Sequence, residues 1–300
     1  GTHEQEAIWN EIETTDNHVV VNAGAGTGKT TTIVEAANRI SCNAAFLAFN
    51  KSIASELAER LPNNVEAKTF HAFGFAAIRN AGVRTKVNTR KLHGIIQELL
   101  GKDYYTAPLS KLVSLVKGSL VDGSDVKSIR RLADEYNVVF ESQREEDIAI
   151  ESIPAILAMC QSQTHHIDFD DMIWLPIVAN YPLPHYDMVF VDAQDFNELQ
   201  RELITRVVNG GRCIIVGDKN QAIYGFRGAD SNSIARFVER LEAKGDRAIT
   251  QLPLSISWRC PQAVVTEANR YVKEFTCPPT AIQGTVVVNA GFNPSPNDMV

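Results

Sequence analysis

The sequence has 300 residues, of which 44% are hydrophobic and 22% charged, and its formal net charge is −7. A chain of this length can bury a large core and can hold more than one domain. It lacks an apolar run of the roughly 18 residues that a membrane-spanning helix needs, and its polar, acidic N-terminus is unlike a signal peptide. The acidic balance argues against electrostatic coating of duplex DNA, so any nucleic-acid binding must use a local groove and base stacking.

The cysteines are few and dispersed, and they form no CxxC pair. They are Cys42, Cys160, Cys213, Cys260 and Cys277. An odd, scattered set is typical of reduced thiols in a cytoplasmic protein, most of them buried, and it does not favour a zinc site. We therefore expect a cytoplasmic protein without a membrane segment.

Short apolar runs alternate with helical patterns along much of the chain. In chain order the runs stand at residues 18–22, 44–49, 65–70, 187–192, 212–218 and 247–252. Most are bounded by turn residues, which is typical of strands in a parallel sheet with crossover helices. Residues 85–165 differ, because they show helical periodicity and no convincing strand. They are predicted to form an all-helical insertion between strands of an α/β domain.

The strongest motif follows the first apolar run. It consists of Ala23, Gly24, Ala25, Gly26, Thr27, Gly28, Lys29 and Thr30, the Walker A pattern with alanine in place of the first glycine. Its glycines let the backbone turn tightly and aim N–H groups inward, and the helix that opens near Lys29 adds the positive end of its dipole. Lys29 is expected to reach the β- and γ-phosphates of a nucleotide, and Thr30 to ligate magnesium. The motif predicts a nucleoside triphosphatase but does not say which kind.

A second cluster at residues 214–230 narrows the class. The strand there ends in Gly217 and Asp218, and Gln221 follows before a loop with three notable side chains, those of Tyr224, Phe226 and Arg227. A glutamine at a strand end beside a phosphate-binding loop can touch the γ-phosphate, and aromatic side chains just beyond it can stack on bases. Tyr224 and Phe226 taken alone would more often be core residues; the strand and Gln221 before them favour the functional reading.

The segment VGDKNQAIYGFRGAD looks like motif III of the UvrD/Rep family of superfamily 1 helicases, and other family motifs then fall into order. Residues 3–8 resemble the Q motif, whose glutamine, here Gln5, reads the adenine edge. Residues 47–57 resemble motif Ia, which places Phe49, Asn50 and Lys51 near DNA. Thr69-Phe70-His71 resembles the next DNA-contacting motif, and VDAQDFN (191–197) resembles motif II. The segment LPLSISWRCP (252–261) resembles motif IV, which places Arg259 at the γ-phosphate as an arginine finger.

The resemblance implies a RecA-like P-loop NTPase sheet flanked by helices, with the helical insertion as a subdomain. The corresponding parts are 1–84 and 166–262 for the ATP-binding core, 85–165 for the insertion, and 263–300 for the start of a second RecA-like core. It also implies ATP and Mg²⁺ as cofactors, single-stranded DNA as the partner and 3′-to-5′ translocation. Lys29, Asp192, Gln221 and Arg259 would form the catalytic set.

Motif II departs from the family pattern, which reads Asp-Glu-x-Gln-Asp after the strand. Here the run MVFV is followed by Asp192-Ala193-Gln194-Asp195, which is one residue short. In one register Asp192 is the magnesium ligand and Ala193 replaces the glutamate that activates water. In the other register Asp192 takes the glutamate position and Val191 replaces the magnesium ligand. We favour the first register, because Asp192 directly follows the apolar run; either way one acidic group is missing, and Asp195 would compensate for it only in part.

The later motifs of the second RecA-like core are not found before Val300. We expect that core to lie on a separate or missing segment. Three functions remain open: an ATP-dependent helicase, here as its N-terminal part; an ATP-gated module that binds single-stranded DNA with little or no hydrolysis; and a small-molecule kinase or other P-loop enzyme. The kinase reading gives no reason for the segment QAIYGFRGA.

Overall fold

The computed structural model describes residues 1–24, 26–193, 196–217, 233–258, 261–271 and 276–286. Its strands are β1 (His18–Ala23), β2 (Ala44–Ala48), β3 (Val65–Thr69), β4 (Lys86–Val87), β5 (His166–Ile167), β6 (Met188–Asp192), β7 (Arg212–Gly217) and β8 (Ile249–Leu254). Its helices are α1 (His3–Thr14), α2 (Lys29–Asn38), α3 (Lys51–Ala58), α4 (Phe70–Asn80), α5 (Lys91–Leu100), α6 (Ala107–Ser119), α7 (Val126–Glu135), α8 (Gln143–Ser162), α9 (Phe169–Val178), α10 (Glu198–Val207), α11 (Ser233–Lys244) and α12 (Gln262–Ala268).

Six of the strands form one sheet in the order β3-β2-β6-β7-β1-β8, and every neighbouring pair is parallel. Each predicted apolar run falls on one of these strands, so the predicted α/β fold with a parallel sheet is confirmed.

The sheet is buried on both faces, which explains why its strands read as continuous apolar runs. Successive side chains of a strand point to opposite faces. Val19 and Val21 of β1 therefore enter one hydrophobic core, shared with α1, α2 and α3, whereas Val20 enters the other. That second core continues from the sheet into α4–α11, and it includes Ile96 and Ile150 from the predicted insertion.

The chain leaves the large sheet after β3 and returns to it at β6. Helices α5–α8 lie in this interval as predicted. The expectation that residues 85–165 contain no strand is wrong at Lys86–Val87, because β4 pairs in parallel with β5. This ladder closes the two ends of the helical segment, with the Lys86 amide donating to the His165 carbonyl at 3.0 Å. Two exposed residues cannot produce an apolar pattern, so sequence periodicity gave no sign of this strand.

A buried charge network joins the helical segment to α9. The Asp171 carboxylate accepts from Lys117 Nζ at 2.8 Å and from Lys91 Nζ at 2.7 Å, and Lys91 also donates to the Cys160 carbonyl. Burial disfavours the charged ammonium of Lys117, but Asp171 together with Cys160 and Asp168 outweighs burial, so the pKa of this lysine is raised. Removing one partner of such a buried pair typically costs about 3–5 kcal/mol, so α5, α6 and α9 are held together as one unit.

Helix α4 crosses α9 at Gly74. A Cβ atom added there would lie 2.0 Å from the Met172 carbonyl oxygen. The two helices can approach this closely only because residue 74 has no side chain.

We predict that Gly74→Ala destabilises the chain by about 1–3 kcal/mol, because the added methyl group forces α4 away from α9. Urea unfolding monitored by circular dichroism measures the change. Gly94→Ala is the matched control, since an added Cβ at this helical glycine has no neighbour within 4 Å. The control should be neutral or stabilising, by up to about 1 kcal/mol. Equal stability of the two variants would contradict the close approach.

His18 is a buried titratable group at the start of β1. Its Nδ1 accepts from the Cys213 amide at 3.0 Å, so Nε2 carries the proton and donates to Asp246 Oδ1 at 3.2 Å. Burial lowers the pKa of His18 below its ordinary value and outweighs the opposing effect of Asp246. The folded chain therefore holds a neutral imidazole at a pH at which the unfolded chain has begun to bind a proton.

It follows that His18 stabilises the fold at neutral pH and that this contribution is lost as the pH falls below about 6.5. We predict that between pH 7.5 and 5.5 the free energy of unfolding falls more steeply for the unmodified chain than for His18→Asn, which keeps an acceptor but does not titrate. The difference in slope is at most about 1.4 kcal/mol per pH unit for one proton. Denaturant titrations at a series of pH values measure it, the other histidines being common to both proteins. If the free energies of unfolding of the two proteins change with pH in parallel, His18 makes no pH-dependent contribution to stability.

Candidate nucleotide site and nucleic-acid interface

The predicted site segments meet at one edge of the sheet. Because all six strands are parallel, their carboxyl ends share that edge, which is where open α/β sheets bind ligands. The phosphate-binding loop follows β1, Phe49 and Asn50 follow β2, and Asp192 ends β6. The register places the ends of β1 and β8 side by side, with Ala23 opposite Leu254.

The phosphate-binding loop has the local geometry that its sequence predicts. Gly26 and Gly28 have φ values of +70° and +84°, a left-handed conformation that favours glycine. Gly28 is the N-cap of α2, which begins at Lys29, so the unpaired N–H groups of the helix point into the loop. The Thr27 hydroxyl donates to the Gly24 carbonyl at 2.8 Å and braces the turn. Thr30 is exposed on the first turn of α2.

The N-terminal helix packs against this loop through Gln5. In the capping box of α1, Gln5 Oε1 accepts from the Thr2 amide at 2.9 Å. Gln5 Nε2 donates to the Thr32 hydroxyl on α2 at 3.0 Å, and Thr32 donates in turn to the Gly28 carbonyl. The side chain therefore lies beside the phosphate-binding loop, but it is buried, and both ends of its amide bond to the protein.

Asp192 lies at the carboxyl end of β6, opposite Val216 of β7. Burial raises the pKa of this carboxyl group, and the opposing influence comes from the positive charge of Lys29. Its Oδ1 atom is buried without a hydrogen-bond partner. A buried carboxylate oxygen of this kind suits a hard cation such as Mg²⁺, which is usually held by one or two carboxylates together with substrate phosphates. Asp192 and Thr30 thus fit the metal role given to them from sequence.

The residue after Asp192 belongs to the core. Ala193 is fully buried, and its amide donates to the Val216 carbonyl at 2.8 Å. A Cβ atom at Gly217 would lie 2.0 Å from the Ala193 carbonyl oxygen, so the backbone here is packed tightly against β7. Strand β6 thus stays paired with β7 as far as Asp192. This pairing favours the alignment of motif II in which Asp192 is the metal ligand and Ala193 replaces the glutamate.

A cleft of about 670 Å³ opens beside this edge, between the sheet and the helical segment. Phe49, Asn50 and His71 from the sheet side line it, and Phe169 lies at the start of α9. The His71 and Phe169 rings meet edge to face with centroids 6.1 Å apart. Phe169 is 55% exposed, so its ring is accessible from the cleft. Lys51 and Lys111 bring positive charge to the walls, and Asp168 and Asp170 bring negative charge.

One residue of the predicted DNA-binding set lies in the core instead. Phe70 is only 2% exposed and packs edge to face against both Phe49 and Phe196. The prediction of a direct DNA contact for Phe70 is therefore corrected: its ring supports Phe49 from behind. Phe70 and His71 are adjacent in sequence at the start of α4, and consecutive helical residues face different directions, so only His71 reaches the cleft.

Several important side chains were missed by sequence reasoning. Phe169 stands in the segment IDFDDMI (167–173), where a phenylalanine between two aspartates at a helix start is a signal for an exposed aromatic residue. Glu4, Lys91 and Lys117 gave no signal, because their partners are distant in sequence. Some predicted site residues lie outside the described part of the chain; these are Ala25, Asp195, Gln221, Tyr224, Phe226, Arg227 and Arg259.

In the part of the chain that the structure describes, no helix combines the length and the apolar composition that crossing a membrane requires. Among the same residues, no group of three or more His, Cys, Asp or Glu side chains is arranged so that it could hold a metal ion.

Comparison with known proteins agrees with the fold. Residues 4–242 match the family model of the UvrD/REP helicase N-terminal domain. The chain is 28% identical to F-box DNA helicase 1 of Gallus gallus, over 76% of this chain and 24% of that protein. It is 28% identical to F-box DNA helicase protein 1 of Schizosaccharomyces pombe, over 83% of this chain and 30% of that protein. It is 24% identical to ATP-dependent DNA helicase PcrA of Staphylococcus aureus, over 87% of this chain and 39% of that protein.

The chain thus spans between about a quarter and two fifths of the length of these relatives. The family model covers well over half of the chain and includes the phosphate-binding loop, Asp192 and both walls of the cleft. The chain therefore belongs to the UvrD/Rep family of DNA helicases and carries its N-terminal domain.

Proposed function

We propose that this chain is the nucleotide-binding and DNA-binding part of an ATP-dependent DNA helicase or translocase, with the 3′-to-5′ polarity that the family resemblance implies. The observation that carries the proposal is the common edge of the sheet. There the phosphate-binding loop and Asp192 share the carboxyl-end edge of the sheet with Phe49 and Asn50, which line the cleft together with Phe169. A change in nucleotide state can then act on a bound strand through short, packed connections.

ATP with Mg²⁺ is the cofactor that these residues suit. The N–H groups at the start of α2 and Lys29 would hold the phosphates, and Thr30 and Asp192 would hold the cation. Mg²⁺ neutralises charge on the β- and γ-phosphates when bound. In the proposal, Gln221 and Arg259 sense the γ-phosphate and Gln5 recognises the base. The Gln5 amide already bonds to Thr2 and Thr32. To recognise the base as well, it would use its second N–H hydrogen or the second lone pair of its oxygen.

Single-stranded DNA is the partner that the cleft suits. Phe49 and Phe169 offer exposed rings and His71 a half-buried one, and base stacking on aromatic side chains tolerates any sequence. Lys51 and Asn50 lie at the start of α3, where the helix dipole favours a phosphate. The mixed charge of the walls agrees with the net charge of −7, since binding then depends on stacking more than on a broad positive field. Tyr224, Phe226 and Arg227 would extend this surface.

A second candidate function is an ATP-gated module that binds single-stranded DNA with little or no hydrolysis. The observation that favours it is Ala193, which is buried in the core directly after Asp192. In the family resemblance this place belongs to the glutamate that activates water. A catalytic base contributes about 10²- to 10⁴-fold to rate, so its absence slows turnover without preventing binding. In the helicase or translocase reading, a second RecA-like core on a separate or missing segment would complete the motor.

We predict that inserting a glutamate between Asp192 and Ala193 raises DNA-stimulated phosphate release by about 10²- to 10⁴-fold, because it restores a base for the attacking water. Phosphate release with and without single-stranded DNA measures the effect. Insertion of a glutamine at the same place is the matched control, since it changes the length equally but supplies no base. Fast ATP turnover in the unmodified chain would contradict the ATP-gated module as a function and support the helicase or translocase.

We predict that Phe169→Ala and His71→Ala each weaken binding of a labelled oligothymidine. Loss of a stacking platform costs about 1–3 kcal/mol per base, or roughly 5- to 150-fold in affinity. Fluorescence anisotropy at one fixed salt concentration measures it. Tyr105→Ala is the matched control, because Tyr105 is 65% exposed and does not line the cleft. Unchanged affinity in both cleft variants would show that DNA binds elsewhere.

A further inference from the structure

The four residues after β8, at 255–258, are held in place through their backbone. The Trp258 amide donates to the Gly26 carbonyl of the phosphate-binding loop at 3.0 Å. On the other side, the Ser257 amide donates to the Thr276 carbonyl at 2.6 Å, and the Thr276 amide donates to the Ser255 carbonyl at 3.1 Å. This segment therefore links the loop directly to residue 258, the last described position before Arg259.

The carboxylate of Glu4 anchors the beginning of the same segment. Its Oε2 accepts from the Ser255 amide at 2.8 Å, and its Oε1 accepts from the Ser255 hydroxyl at 2.6 Å. The Ile256 amide adds a longer contact of 3.4 Å to Oε2. Glu4 is only 9% exposed, so these are charge-assisted bonds largely shielded from water.

Glu4 is adjacent to Gln5, which bonds to Thr32 on the helix of the phosphate-binding loop. One turn of α1 therefore touches both the loop helix and the segment that leads to Arg259. Neither contact follows from the sequence pattern, because Glu4 and Ser255 are 251 positions apart.

We propose that Glu4 is a positioning residue for nucleotide sensing. By fixing Ser255, it sets the position of residues 255–258, the segment that leads to Arg259. The inference rests on the proposed function, in which Arg259 distinguishes ATP from ADP. It predicts a larger effect on that distinction than on phosphate binding as such, because the hydrogen bonds described for the Glu4 side chain go to Ser255 and Ile256.

The test compares the affinities of a non-hydrolysable ATP analogue and of ADP, both with Mg²⁺, by isothermal titration calorimetry. Glu4→Gln should lower the ratio of analogue to ADP affinity by about five- to tenfold, the low end of typical coupling between sites. Its ADP affinity should change less than its affinity for the analogue. Ser255→Ala removes only the hydroxyl bond and should lower the ratio less.

Glu6→Gln is the matched control on the same helix, because the Glu6 side chain is 57% exposed and its nearest charged group is the N-terminal amine at 3.7 Å. An unchanged ratio in Glu4→Gln overturns the inference. The inference is also overturned if Glu4→Gln lowers the affinities for the analogue and for ADP equally. It is overturned as well if both Glu4→Gln and Ser255→Ala fail to fold, because either result assigns Glu4 a purely structural role. Failure of the unmodified chain to bind either nucleotide overturns the proposed function itself, which separates the two failures.

Discussion

A parallel sheet imposes one constraint on which the rest of this structure depends. Each strand must begin at the same edge, so every connection that leaves a carboxyl end emerges at the opposite edge. The phosphate-binding loop, Asp192, the start of α3 and residues 255–258 are far apart in sequence, yet the register brings them to one side. The nucleotide site is thus a consequence of strand direction, with apolar pairing on both faces supplying the stability.

The cleft depends on a second interaction, the double contact of Asp171 with Lys91 and Lys117. Asp171 also forms the capping box of α9 with Asp168, so the same carboxylate fixes the helix end that carries Phe169. Helix α9 thereby shows an inverted pattern, with an aspartate fully buried and a phenylalanine 55% exposed. Asp171 can be buried because it pairs with Lys91 and Lys117, and Phe169 is exposed because it forms part of the cleft wall.

In the proposed function, Asp192 and Ala193 separate nucleotide binding from turnover within two residues. The buried, unpaired oxygen of Asp192 suits a cation, whereas Ala193 fills the core and offers no proton acceptor. The contacts of α1 are divided in a similar way, since Gln5 contacts the loop helix and Glu4 contacts the segment before Arg259. Under that proposal, nucleotide binding and nucleotide sensing would use different, adjacent side chains.

The sequence by itself determined the strands of the sheet, the helical character of 91–162 and the phosphate-binding loop, because these depend on local periodicity and on glycine at positions of positive φ. It also pointed to Asp192 as the end of its strand. Only the tertiary structure decided that Phe70 is buried while His71 is accessible, that β4 pairs with β5, and that Glu4 holds Ser255. Those outcomes depend on partners dozens to hundreds of residues away, and a local pattern carries no information about which distant groups will meet.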